Sequence, residues 1–290
     1  MSFVTQARVI QPGGASLSEG VFQQLRTYIY ERTGIFFADN KKYLLESRVS
    51  RRLLSLGVPS FESYYRMLTN GQGSSELVHL INTVTINETF FFRNDFQFAA
   101  LQDTILPELI KKRRGEKIDR IRIWSAACST GEEPYTIAMV LKDKIIPRFP
   151  SLKLEIVASD INSHVLDVAR KGTYKEYAIR AVSEDYLRRY FVQDGDKFHL
   201  HDQIKKMVDF RQVNLFDRNT MRSMRRFDII FAANVLIYFD FNSKQAVISS
   251  VYNSLNKGGY LLVGNSETLY GVSQAFKPIH FEKAIAYRKE

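Results

Sequence analysis

The chemistry in this chain is carried by short polar stretches that end apolar runs. Ser125, Ala126, Ala127, Cys128, Ser129, Thr130 and Gly131 follow the run around Ile121, Ile123 and Trp124, and Glu132-Glu133-Pro134-Tyr135 comes directly after. Side chains this small let a ligand reach the backbone, as in a nucleotide-type cofactor loop between a buried strand and a helix. The same stretch also reads as an ordinary strand-turn-helix of an α/β core. Acids at the helix start suit its dipole and repel phosphate. A dinucleotide loop wants G-x-G-x-x-G, so that glycines and the helix end meet a pyrophosphate, and here only Gly131 is present. An adenosine ligand with a cationic group and two ribose hydroxyls fits better, and S-adenosylmethionine is the common one.

Three further stretches bear on this site. Leu154 to Ser159 reads as a second buried strand, and Asp160 closes it, one helix and one strand after Gly131. An acid at that place commonly takes ribose hydroxyls, although a lone Asp160 would more often cap a helix from Asn162 to Arg170. Asn87-Glu88-Thr89-Phe90-Phe91-Phe92-Arg93 reads as a buried junction, whose arginine needs a carboxylate or a ligand. Phe227 to Asn234 is another buried strand, with Val235 to Phe239 running on from its end. Cys128 is the sole cysteine, which rules out an internal disulfide and a cysteine-based metal site. It reads as a packing residue rather than a nucleophile. His199 and His201 would share one strand face, but no third ligand lies near, so no metal is expected.

The elements that must position these residues fall into two parts. After a loose tail over residues 1–16, apolar spacing predicts helices from Leu17 to about Thr33, from a cap at Asp39 to Gly57, and from Ser60 onward. Asn70 to Ser75 reads as a loop leading to a fourth helix, so residues 17–85 form a helical domain. Strand and helix then alternate through residues 86–290, which predicts a doubly wound sheet. Extra length between Gly172 and Met207 holds a helix from Ser183 to Tyr190 and a hairpin at Asp194-Gly195, an inserted β-subdomain of about residues 191–207. Phe276 to Arg288 can supply a closing strand.

The chain's 290 residues, 45% of them hydrophobic, can bury a full core. No apolar run reaches membrane-spanning length and no apolar signal region opens the chain, so a soluble, cytoplasmic protein without direct membrane insertion is expected. The formal charge of +10 favours an acidic partner surface. The basic residues are clumped at Lys41 to Arg52, Lys111 to Arg114 and Arg218 to Arg226.

Together, Asn87 to Arg93, the Ser-Thr-Gly-Glu-Glu-Pro-Tyr core of Ser125 to Tyr135, Ala158-Ser159-Asp160-Ile161 and Asn234-Val235-Leu236-Ile237-Tyr238-Phe239 resemble the chemotaxis receptor methyltransferases, the CheR family, over roughly residues 17 to 290. The resemblance implies an α/β fold: a Rossmann-like S-adenosylmethionine-dependent methyltransferase sheet, a small all-helical N-terminal domain and an inserted β-subdomain. It implies transfer of the cofactor's methyl to glutamate side chains on the cytoplasmic helical bundle of chemoreceptors, leaving S-adenosylhomocysteine. Cofactor contacts are implied for Asn87, Thr89, Arg93, Ala126, Glu133, Asp160, Asn214, Leu215 and Asn234, with Arg93 and Tyr238 nearest the transferred methyl. The family often has arginine where this chain has Ala233, so a contact there is through backbone or is lost.

A glutamate acceptor is already ionised at neutral pH and needs no general base, and a dry pocket lined by Phe90 to Phe92 would favour its reaction with a sulfonium. Arg48, Arg51 and Arg52 gain a role in docking acidic receptor helices. The insertion looks short beside relatives that bind a receptor's C-terminal tethering peptide, so action without a tether, as a monomer, is expected. A nucleic-acid methyltransferase would suit the charge, but the Asn- or Asp-Pro-Pro-aromatic motif and a cysteine nucleophile outside the cofactor loop are both missing, so no nucleic-acid partner is expected. Ala233 alone favours a non-catalytic binding protein.

Overall fold

The computed structural model describes residues 16–70 and 73–290. Nearly all of the expected tail, and Gly71-Gln72 of the expected loop, lie outside the described residues. The chain divides into two compact units, one of residues up to 31 plus 36–85, the other of 32–35 plus 86–290.

The first unit contains helices α1 (Glu19–Thr33), α2 (Lys42–Leu56), α3 (Phe61–Thr69) and α4 (Gly73–Val84). Helix α1 buries Val21, Phe22, Leu25, Tyr28 and Ile29 at helical spacing. In α2 the buried face is Leu45, Val49 and Leu53, whereas Tyr43 and Leu54 are exposed. Asp39 does not cap α2: it opens a short 3₁₀ turn and pairs with Arg26 at 2.5 Å. Gly57 ends α2 with φ +65, a left-handed position that favours glycine. Ser60 caps α3, its hydroxyl accepting from Ser63 N at 3.2 Å.

One charged group holds this unit together. Arg52 donates through Nε and Nη2 to the two carboxylate oxygens of Glu76, at 2.8 and 2.7 Å. The Tyr64 hydroxyl adds a third bond, to Glu76 Oε1, at 2.7 Å. Desolvation works against the Glu76 charge, yet Arg52 and Tyr64 outweigh it and hold its carboxyl below the usual value. Arg52 is thus spent on α4, and Arg48 donates to the Val84 carbonyl. Arg51 is the member of the predicted docking trio that is exposed.

The second unit is built on a seven-stranded sheet. Strands β1 (Arg120–Ala126), β2 (Lys153–Asp160), β6 (Val208–Gln212), β7 (Phe227–Ala232) and β8 (Leu255–Val263) run parallel, and the order across the sheet is β6-β2-β1-β7-β8-β10-β9. The predicted closing strand is two strands, β9 (Phe276–His280) and β10 (Ile285–Lys289), joined antiparallel. Strand β1 lies between β2 and β7, with Ile123 opposite Ile156 on one side and Ile229 on the other. Strands buried on both faces read as continuous apolar runs, and β7 is buried at all six positions. The chain winds outward from β1 through β2 to β6, then returns to the other side of β1 with β7. This reversal makes a topological switch point at the carboxyl ends of β1 and β7.

At the opposite ends of the strands, buried Asp228 acts as a brace. It accepts from Arg122 N and Asn256 Nδ2, both at 2.9 Å, and from Arg113 Nε at 3.0 Å. A separate three-stranded sheet, β3 (Thr173–Lys175), β5 (Lys197–Leu200) and β4 (Phe191–Asp194), forms the insertion. It starts well before residue 191, because β3 supplies its first edge. Asp194-Gly195 turns the hairpin, with Gly195 at φ +58. His201 lies outside β5, at the cap of a short helix, so the two histidines do not share a strand face.

Candidate active site

Two loops meet the switch point. The first, Ala127 to Gly131, leaves β1 with Ala127, Ser129 and Gly131 at φ 59, 50 and 93. Left-handed backbone at alanine and serine costs about 1 kcal/mol or more each, and persists only where neighbours hold it. The holder is Asp160. Its Oδ2 accepts from Ser129 N at 2.8 Å, and its Oδ1 accepts from Asn162 N at 2.9 Å. Asn162, not Asp160, caps the following helix, taking His164 N and Val165 N. Burial pushes the Asp160 carboxyl up while these backbone donors oppose it. Ser129 Oγ donates to the Asn87 carbonyl at 3.0 Å, so the first motif abuts the cofactor loop. At Gly131 a Cβ would come within 2.9 Å of Ala169 Cβ. Ala126, at the end of β1, is buried.

The two loop glutamates part company. Glu132 turns inward, and both its oxygens take the Thr130 hydroxyl, at 2.9 and 2.7 Å. Glu133 accepts from Ser125 Oγ at 2.6 Å. Burial pushes each up to about 7. Glu133 alone of the pair also feels Glu267, which raises it, and Arg93, which lowers it. Of the two acids expected to repel phosphate, Glu132 is bonded back to Thr130 and Glu133 to the end of β1. Cys128 packs with Ala158 and Leu166, and burial lifts its thiol well above the usual value, which excludes a nucleophilic role at neutral pH.

The phenylalanine run does not line a pocket as expected. Phe91 is fully buried and meets Tyr174 and Phe191 edge-on. Phe92, at φ 58, packs against Phe98 and Tyr186. Phe90 remains with the arginines, its ring 3.5 Å from Arg180 Cζ and 5.9 Å from Arg93 Cζ. A left-handed residue mid-run breaks any single-face pattern, so each ring takes its own direction. Arg93 is half-buried, and its Nη1 donates to the Glu88 carbonyl at 2.7 Å. Thr89 is half-buried and its hydroxyl makes no hydrogen bond among the described residues.

The second loop leaves β7. Ala233 and Asn234 are half-buried, and Asn234 is left-handed at φ 60. Tyr238 ends a short 3₁₀ turn, with its hydroxyl 3.5 Å from the Ile86 carbonyl. After β6, Asn214 commits its amide to structure: Nδ2 donates to the Arg32 carbonyl at 2.6 Å and Oδ1 accepts from Phe216 N at 3.0 Å. Leu215 is buried in the core below. The structure places Asn87, Arg93, Ala126, Glu133, Asp160 and Asn234 near the strand ends, and Asn214 and Leu215, after β6, carry structural contacts as well.

One residue that gathers the loop after β7 was not singled out in the sequence. Glu267, after β8, takes Asn234 N and Gly264 N on Oε2, both at 2.6 Å, and Ile237 N on Oε1 at 3.2 Å. Its signal was available, because Glu267 lies shortly after the end of the buried strand β8, as Asn234 lies after β7.

A helix start bearing carboxylates, small left-handed residues before it and an acid closing the second strand accept a cationic adenosine ligand and reject a pyrophosphate. No group of three or more His, Cys, Asp or Glu placed to hold a metal occurs among the described residues. The class defined by fold and site is a Rossmann-like methyltransferase. Residues 87–285 match the family described as "CheR methyltransferase, SAM binding domain", and residues 21–85 match "CheR methyltransferase, all-alpha domain". The chain is 36% identical to chemotaxis protein methyltransferase 2 of Vibrio cholerae, over 92% of each chain. It is 38% identical to the chemotaxis protein methyltransferase of Borreliella burgdorferi, over 88% of this chain and 90% of that one. It is 34% identical to chemotaxis protein methyltransferase 1 of Pseudomonas aeruginosa, over 94% and 99%. The chain belongs to the CheR methyltransferase family, and its cofactor is S-adenosylmethionine.

Proposed function

We propose that this chain methylates glutamate side chains of chemoreceptor cytoplasmic helices, forming methyl esters. The observation that carries the reading is the loop after β1, held by Asp160 at Ser129 N and by Ser125 at Glu133, in a family of chemotaxis methyltransferases. When bound, S-adenosylmethionine supplies an electrophilic methyl on a sulfonium. Asp160 is suited to its ribose hydroxyls and Glu133 to a cationic group, with Asn87, Thr89, Ala126, Asn214, Leu215, Ala233 and Asn234 as the remaining proposed contacts.

The acceptor carboxylate has a reference pKa of about 4.3, so it arrives ionised and no residue need remove a proton. The chain's task is placement, which can supply several kcal/mol of the barrier reduction. Arg93 and Tyr238 orient the acceptor, and Phe90 helps to exclude water beside Arg93. An arginine paired too tightly would blunt the nucleophile. The Arg93 bond to the Glu88 carbonyl, a neutral partner, keeps the side chain in place without neutralising it.

Receptor docking falls to the α2 face around Arg48, Arg51 and Arg52, with Arg51 as the exposed cation, and turnover weakens as salt screens it. The compact β4–β5 hairpin goes with action independent of a tethering peptide. No helix among the described residues is long and apolar enough to cross a membrane, and the proposed setting is the cytoplasm, as a monomer. Incubation with methyl-labelled cofactor and a receptor cytoplasmic fragment tests the reading. Base-labile methanol release supports it, and a base-stable label, or label on RNA, overturns it.

A further inference from the structure

We propose that Glu267 is a positioning residue that sets the Asn234–Tyr238 turn from behind. The proposal rests on the assignment of Tyr238 to the acceptor side of the site.

Three backbone N–H groups converge on this one carboxylate. Oε2 joins Asn234, the residue that leaves β7 in a left-handed conformation, to Gly264, which leaves β8. Oε1 holds Ile237, the residue before Tyr238. The turn therefore has two separately held points, one at the cofactor motif and one beside the tyrosine. Glu267 is itself fixed by its own N–H, which donates to the Gly264 carbonyl at 2.8 Å.

The fit leaves no slack. A Cβ on Gly264 would lie 2.6 Å from Asn234 Nδ2, 2.8 Å from Glu267 Oε2 and 2.9 Å from Asn234 N. Only glycine lets the two strand ends approach closely enough to share the carboxylate. The negative charge also reaches Glu133, so the residue bears on both the shape and the electrostatics of the site.

A carboxylate accepts all three N–H bonds without bringing a donor into the turn. In Glu267→Gln the amide oxygen can keep Asn234 and Gly264, while the amide nitrogen, a donor, must face Ile237 N–H. The defect should fall on the tyrosine end of the turn and spare the fold. Three readouts on the full chain separate these effects: backbone amide exchange, calorimetric binding of S-adenosylhomocysteine, and kcat on a receptor fragment. The expected result is faster exchange at Asn234 to Tyr238 with Leu261 and Leu262 unchanged, a Kd within about threefold, and kcat lower by about tenfold or more. Gly264→Ala, whose Cβ would meet Asn234 as well as the carboxylate, should speed exchange over the same turn, again with Leu261 and Leu262 unchanged, and weaken cofactor binding more than Glu267→Gln does.

Unchanged exchange and kcat in both variants would overturn the proposal. So would a loss of protection across β7 and β8 with affinity and turnover falling together, because that marks a purely structural residue. The exchange and binding readouts need no acceptor. If the unsubstituted chain fails to methylate the receptor fragment, the acceptor assignment falls, while those two readouts still decide whether Glu267 holds the turn.

Discussion

Ser125 Oγ donates to Glu133 Oε1 across 2.6 Å, tying the end of β1 to the first turn of the helix after the cofactor loop. The bond fixes a carboxylate that burial has already made reluctant to ionise, with its pKa pushed up from 4.5 to about 7. Burial favours the neutral form, so the associated stability is complete below about 4.5 and is lost as pH rises through about 7. A cationic ligand answers the charged form instead. Affinity for S-adenosylmethionine should therefore tighten from about pH 6 to about pH 8, with proton release on binding. Glu133→Gln should flatten that profile in calorimetry. Glu132 also titrates near 7, but it is turned towards Thr130, so Glu132→Gln should change stability and leave the binding profile in place.

Asp160 holds Ser129 of the strained loop with one oxygen and Asn162 with the other, and the proposed function gives the same side chain a cofactor contact. An asparagine keeps one acceptor and presents an amino group to the second backbone N–H. Asp160→Asn should weaken cofactor binding by about tenfold or more, which is about 1.4 kcal/mol, and lower the thermal midpoint modestly. An unchanged dissociation constant would remove Asp160 from the cofactor site.

The basic residues of α2 should separate cleanly. Arg52 and Glu76 form a bidentate pair with little solvent access, and removing one partner of such a pair costs about 3 kcal/mol or more. Arg52→Ala should therefore destabilise the helical unit in denaturant melts. Arg51→Glu should leave melts unchanged while raising KM for the receptor fragment, most strongly at low salt. Equal effects of the two on KM with no loss of stability would contradict this division.

Much of the architecture was legible because each signal was local. Continuous apolar runs marked β1, β2, β7 and β8, and Ser60 and Ser183 cap helices as their spacing suggested. Residues whose roles depend on long-range partners were not legible. Arg52 read as a surface cation because nothing in α2 reveals Glu76 and Tyr64 beside it. The phenylalanine run read as one wall because a left-handed Phe92 cannot be seen from composition. Glu267 and Asp228 stood outside every motif, yet each gathers backbone and side-chain donors from distant segments. The pairing of Asp160 with the loop was visible in outline, and its atoms turned out to hold Ser129.

Turnover should separate from binding at Arg93. Arg93→Ala should lower receptor methylation by about a hundredfold and weaken cofactor affinity by less, since Glu133 and Asp160 remain. Full turnover in this variant would remove Arg93 from the acceptor side of the site.

The central claim is that this chain forms methyl esters on receptor glutamates. Its most direct measurement is peptide sequencing by mass spectrometry of a receptor cytoplasmic fragment after reaction with S-adenosylmethionine. The predicted result is one added methylene on particular glutamates, removed by mild base and absent when S-adenosylhomocysteine is in excess. An unmodified fragment, or a base-stable methyl on another side chain, would contradict the account.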